Sequence, residues 1–190
     1  MHSVTLSRLQ SFEDQARQAN NPRLFLQLLS PLHAQWHARQ ARRVGFLIFH
    51  WHVSEHFEAL GLKQIMGVKP DKVADFSQGG RFAESDFRAS MQGIRNSQNL
   101  TDLEGYSQAI ESWHNEAHMS IGQVTGLDMM NPTVNVFFTE FWNLHYFINA
   151  RFEEQLRSYA DTAHAALQLR DAAAIINHIE TNHHTVVARI

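Results

Sequence analysis

No cysteine occurs anywhere in the 190 residues. Disulfides, thiolate nucleophiles, iron–sulfur clusters and cysteine-based zinc sites are thereby excluded. Positive charge is also in short supply: 16 Lys and Arg stand against 19 Asp and Glu, a formal net charge of −3 with histidine neutral. Nucleic acid and anionic membrane surfaces both call for a basic excess, so neither is an expected partner. Long apolar runs are missing too. Val44 to Phe49 and Ala172 to Ile176 are far too short to span a bilayer, and no apolar segment follows a basic start as in a secretory signal. These exclusions point to a cytoplasmic protein.

What is present supports a packed fold. Hydrophobic residues make up 44% and aromatics 11% of the chain, enough for one core spanning residues 1–190 as a single domain. The apolar residues recur with helical period, and no stretch alternates in the manner of a strand. Helices are predicted over Val4 to Ala19, Arg23 to Leu29, Ser30 to about Arg39 (with Ser30-Pro31 as N-cap and first turn), and Phe46 to Leu60, stopped by Gly61. Gly67 to Arg81 reads as a loop and Phe82 to Ile94 as a helix. Thr101-Asp102-Leu103-Glu104 has capping-box spacing and opens a helix to about His118. Gly122 to Pro132 connects it to a long apolar helix, Val134 to about Tyr159, with one or two further helices to the end. The fold class is all-α, a helical bundle with a four-helix core.

Thirteen histidines are the abundant feature. His33 with His37 and His114 with His118 lie four residues apart on predicted helices, so each pair shares one face and can meet one metal ion. A third ligand must come from another helix. In an antiparallel hairpin, residues equidistant from the turn lie side by side. The break expected at Val44-Gly45 lies midway between His37 and His52, and Asn131-Pro132 lies midway between His118 and His145. Two triads follow: His33, His37 and His52 in one hairpin, His114, His118 and His145 in the other. Facing each other across the core, they would form a binuclear centre.

Carboxylate-rich diiron bundles carry Glu-x-x-His on two helices. Glu111 to His114 matches that pattern once, but no Glu stands at that spacing before His33 or His37. All-imidazole shells suit copper, zinc or nickel, with copper highest in the divalent affinity order.

These residues resemble the type 3 copper proteins: tyrosinases, catechol oxidases, arthropod hemocyanins and phenoloxidases. His114-Asn115-Glu116-Ala117-His118, followed by Gly122, is similar to the family's His-Asn-x-x-His…Gly motif. The run Phe141-Trp142-Asn143-Leu144-His145-Tyr146-Phe147-Ile148-Asn149 resembles its Phe-Tyr-Arg-Trp-His-x-x-Ile-Asp helix, with Asn149 in place of the Asp. The first half resembles the arthropod pattern, His33-x-x-x-His37 and then Gly45 to His52, which selects His52. A tyrosinase-like register through Phe46-Leu47-Ile48-Phe49-His50, with Phe57-Glu58 downstream, selects His50 instead. The arthropod register agrees with the hairpin arithmetic, and His52 is the expected ligand.

The resemblance covers residues 30–60 and 110–155. It implies two copper ions, dioxygen as co-substrate, and oxidation of small phenols, o-diphenols or o-aminophenols. It also implies roles for two residues that would hold a water able to accept a phenol proton: Asn115, and Glu104 two to three turns earlier. Glu104 is equally accounted for by the capping box. A dioxygen carrier without catalysis, as hemocyanins are, and another histidine-rich metal-binding bundle are the alternatives. A homo-oligomer is compatible with each.

Overall fold

A computed structural model describes residues 4–38, 44–73, 87 and 98–183. Among them every regular element is helical and no strand occurs. In chain order the helices are α1 (Val4–Gln18), α2 (Arg23–Ala38), α3 (Gly45–Ala59), the short α4 (Leu62–Ile65), α5 (Leu100–Thr125), α6 (Thr139–Ala163) and α7 (Ala172–Asn182). None is long and apolar enough to cross a membrane. The all-α expectation holds. The expected helix Phe82 to Ile94 and most of the loop before it lie outside the described residues. Phe87 is described; it is buried, with its ring edge-on to Trp113 at 4.9 Å and to Phe147 at 5.5 Å.

Several expected boundaries move for local reasons. Ser30 does not cap a new helix, because α2 runs unbroken through Pro31. The Ser30 hydroxyl instead donates to the Thr133 carbonyl, tying α2 to the connection before α6. Thr101 is not an N-cap either. Asn99 Oδ1 accepts from the Asp102 amide while Asp102 Oδ2 accepts from Gln98 N–H. This is the reciprocal logic of a capping box, placed two residues earlier. Helix α5 continues past Gly122 and stops at Gly126, whose φ of 74° is the left-handed C-cap geometry that glycine adopts freely. Helix α6 begins at Thr139 rather than Val134. A 3-10 turn, Asn135–Phe137, comes first, and Trp142 Nε1 donates back to the Val136 carbonyl at 2.8 Å.

The core runs from Leu9 on α1 to Ile179 on α7. Helix α1 packs on α2 and α3, α6 packs on α3 and α5, and α7 lies against α6. Phe57 of α3 stacks on Trp142 of α6 at 3.6 Å, and Trp36 of α2 on Phe49 of α3 at 4.4 Å. Two polar pairs fasten the outer helices to α3. His56 Nδ1 meets Glu13 Oε2 of α1 at 2.6 Å, and His52 Nε2 meets Glu180 Oε1 of α7 at 3.0 Å. The Glu180 side chain is only 5% exposed, so removing its partner strands a buried carboxylate. His52→Ala is therefore expected to lower stability by about 1–3 kcal/mol, read as a fall in the urea midpoint.

Candidate metal centre

Helices α2, α3, α5 and α6 each turn histidines inward, and the side chains meet as two groups. His33, His37 and His50 form the first, and His114, His118 and His145 the second; within each, one nitrogen per ring lies within 4.8 Å of the others. The second group is the one expected from the hairpin about Asn131-Pro132. The first contains a correction: His50, not His52, completes it. Gly45 is where α3 starts, not where the hairpin turns. With α2 ending at Ala38, the centre falls between residues 41 and 42, which sets position 33 opposite position 50. His52 faces away and bonds Glu180. His56 is held by Glu13 rather than by the centre.

The groups face one another. His50 and His145 stack with ring centroids 4.7 Å apart, and His37 and His114 lie parallel at 6.3 Å. Phe141 packs against rings of both groups, with centroids 5.2 Å from His33 and 3.9 Å from His145. Both α3 and α6 present Phe-x-x-x-His, and in each case the histidine Nδ1 donates to the carbonyl of that Phe: His50 to Phe46 at 2.8 Å and His145 to Phe141 at 2.7 Å. The connection before α6 fixes two more rings. His33 Nδ1 donates to the Pro132 carbonyl at 3.0 Å and His118 Nδ1 to the Met129 carbonyl at 2.6 Å. That loop can approach because position 122 is glycine; a Cβ there would stand 3.0 Å from the Leu127 carbonyl oxygen.

These bonds settle the tautomers. A carbonyl only accepts, so an Nδ1 bonded to one carries the proton and leaves Nε2 as a bare lone pair. His114 is held the same way, its Nδ1 donating to Asn115 Oδ1 at 3.3 Å. Yet Nε2 of His33 and His50 are 3.4 Å apart, and Nε2 of His114 and His145 are 3.2 Å apart. Two lone pairs at that separation repel, with no proton between them. His118 Nε2 is buried and has no hydrogen-bond partner at all. A cation between the nitrogens turns each of these unfavourable features into a ligand bond. The donor set therefore fits a metal, and Nδ1–H bonded to a carbonyl is the usual way a ligating imidazole is oriented.

Burial holds all six rings neutral. Loss of solvent drives His37 and His118 down to about 4, and the other four lie well below the ordinary imidazole range for the same reason, reinforced for most of them by neighbouring histidines. Neutral rings are the form that binds metal. Both groups consist of imidazole alone, and Glu111 belongs to neither. That composition favours a borderline or soft ion over the hard iron of carboxylate shells.

A cavity of about 120 Å³ opens onto His37, His114 and His118, and Asn115 lines it. Asn115 thus touches both the opening and a candidate ligand. Glu104 is placed differently. It lies ten residues before His114 on α5, on the order of 15 Å along the axis, and it does not line the cavity. Asn149 donates to Ser54 Oγ at 2.9 Å and joins α6 to α3. Sequence reasoning passed over Asn135 and the carbonyls of Met129 and Pro132. The carbonyls leave no trace in residue type; Asn135 stood in plain view beside the turn at Asn131-Pro132. No family model, curated protein or solved structure matches this chain.

Proposed function

We propose that the two triads, His33, His37 and His50 with His114, His118 and His145, hold a pair of copper ions, and that the protein uses dioxygen to oxidise phenols, o-diphenols or o-aminophenols. The observation that carries this reading is the set of six neutral imidazoles on four helices, with Nε2 lone pairs opposed at 3.2 and 3.4 Å and the Nδ1 atoms of His33, His50, His114, His118 and His145 already committed. When bound, a copper pair supplies one-electron chemistry at each ion and a binding place for dioxygen.

The protein's own residues do the rest. The carbonyls of Phe46, Met129, Pro132 and Phe141 hold four rings in one tautomer, so metal entry requires no proton loss from them. Phe141 and Phe46 pack on the imidazoles and limit water around them. The cavity beside His37, His114 and His118 gives a small aromatic substrate its approach. An o-diphenol that becomes an o-quinone gives up two electrons and two protons. Two such oxidations deliver the four electrons and four protons that convert one dioxygen to two waters. Asn115 contributes by fixing His114 at the edge of that cavity. Glu104, at its distance along α5, is not assigned the proton-accepting role. The setting of this reading is cytoplasmic, with a small phenolic partner.

Anaerobic loading with copper(I) tests the proposal. Two coppers per chain, a new strong near-ultraviolet absorption on admitting air, and turnover of a catechol are the expected results. Two irons by metal analysis, or no bound metal, would overturn it. Uptake of dioxygen with no catechol turnover would leave a carrier rather than an oxidase.

A further inference from the structure

His37 carries its proton on the opposite nitrogen from the rings anchored to carbonyls. His33 Nδ1 donates to the Pro132 carbonyl, so His33 Nε2 has only a lone pair to offer. His37 Nε2 lies 3.1 Å from that lone pair. A neutral imidazole has one N–H, and His33 has committed its own to Pro132. His37 therefore supplies the proton of this contact. Its Nε2–H donates to His33 Nε2, and the bare lone pair of His37 is on Nδ1. In His33, His50, His118 and His145 the arrangement is reversed, with Nδ1–H bonded to a carbonyl and Nε2 bare.

The two groups thus meet a cation differently. In the second, Nε2 of His114 and His145 oppose each other at 3.2 Å, and His118 Nε2 is buried without a hydrogen-bond partner. An ion entering there breaks no hydrogen bond between the rings. In the first, a proton stands between His37 and His33, and an ion that takes both nitrogens must displace it. Access does not separate the groups, because His37, His114 and His118 line the same cavity. His37 is also the one ring of the six that is partly exposed, so solvent can exchange its proton.

We propose that the groups load in order, His114, His118 and His145 first, and that His37 is the switching ligand that delays the other group. As an ion takes the His33 lone pair, the His37–His33 hydrogen bond breaks. The proton given up to solvent at His37 Nε2 is matched by one taken up at Nδ1, so the ring stays neutral and Nε2 becomes a ligand. This rests on the metal-binding reading of the two triads, but not on the metal being copper. One group alone gives up a hydrogen bond, so its ion should bind about fivefold to tenfold more weakly.

Zinc tests the order without redox chemistry. Isotopically labelled, metal-free protein is titrated with zinc, and the imidazole nitrogens are followed by long-range proton–nitrogen NMR. Before zinc, the ring absent from His37→Ala should show the Nε2–H form, while His33, His50, His118 and His145 show Nδ1–H. The first equivalent should shift His114, His118 and His145. The second should shift His33, His37 and His50 and convert His37 to Nδ1–H. His37→Ala should take the first zinc with unchanged affinity and lose the second. A metal-free His37 in the Nδ1–H form overturns the proposal, as does one that keeps Nε2–H after the second zinc. So does filling of both groups together, or of the His33 group first. If His37→Ala does not fold by circular dichroism, the order of shifts in the wild type decides alone. Protein that takes neither zinc nor copper sinks the metal reading itself. Ordered loading without catechol turnover sinks the oxidase reading only, and turnover with the reverse order sinks the switch only.

Discussion

If the two triads hold a copper pair as proposed, His50→Ala is expected to lower the metal content from two ions per chain to one and to abolish oxidase turnover, whereas His52→Ala keeps both ions. The contrast is sharp because the two residues lie on one helix only two positions apart. Successive residues turn by about 100°, so positions 50 and 52 point nearly opposite ways around α3. His50 is buried between His33 and His145, while His52 reaches Glu180 on α7. Removing the His50 ring leaves His33 and His37 as two ligands on one helix face, which cannot surround a cation. Removing the His52 ring costs stability through Glu180 and nothing at the centre. Metal analysis of the two purified variants, with urea midpoints alongside, reads both effects. Full metal content in His50→Ala, or loss of an ion in His52→Ala with the fold intact, would reverse the assignment.

The second large effect is acid lability of the metal-free protein. An unfolded histidine titrates near 6.5. In the fold, His37 and His118 are driven down to about 4 by burial, and the other four ligand candidates lie well below their usual range. Between these limits the unfolded chain binds more protons than the folded one, so stability rises with pH. The contribution is fully present above about pH 6.5 and is lost as pH falls toward 4, on the order of 3 kcal/mol for each of His37 and His118. Urea midpoints of chelator-treated protein at pH 7.5, 6 and 5 should fall steeply. Bound metal, which competes with protons for the same nitrogens, should move the fall to lower pH. A midpoint unchanged from pH 7.5 to 5 would show that these rings are not held neutral by burial.

Much of the candidate centre was legible because its histidines follow helix periodicity. His33-x-x-x-His37 and His114-x-x-x-His118 need only a helix to share a face. His145 followed from the turn at Asn131-Pro132, since α5 ends at Thr125 and α6 starts at Thr139, nearly symmetric about it. The same arithmetic misplaced the third histidine of the other group. Glycine at position 45 looked like a break, but the helix begins there, and a shift of three residues in the hairpin centre exchanges His52 for His50. The register through Phe46 and His50 carried the right signal: a ring that packs tilted against the histidine and a carbonyl four residues back that holds its Nδ1. Glu104 lies ten residues before His114 on α5, on the order of 15 Å along the axis, and does not line the cavity.

By itself the sequence determined an all-helical chain without thiols, rich in imidazole, with two histidine pairs obliged to share faces, because period and residue type are local properties. Tertiary structure decided which of His50, His52 and His56 turns inward, since three histidines on one helix face three different neighbours. It also decided the proton on four of the rings, those of His33, His50, His118 and His145. The acceptors that fix the tautomers are main-chain carbonyls of Phe46, Met129, Pro132 and Phe141, a group that every residue carries. Only packing selects which of them meets an imidazole.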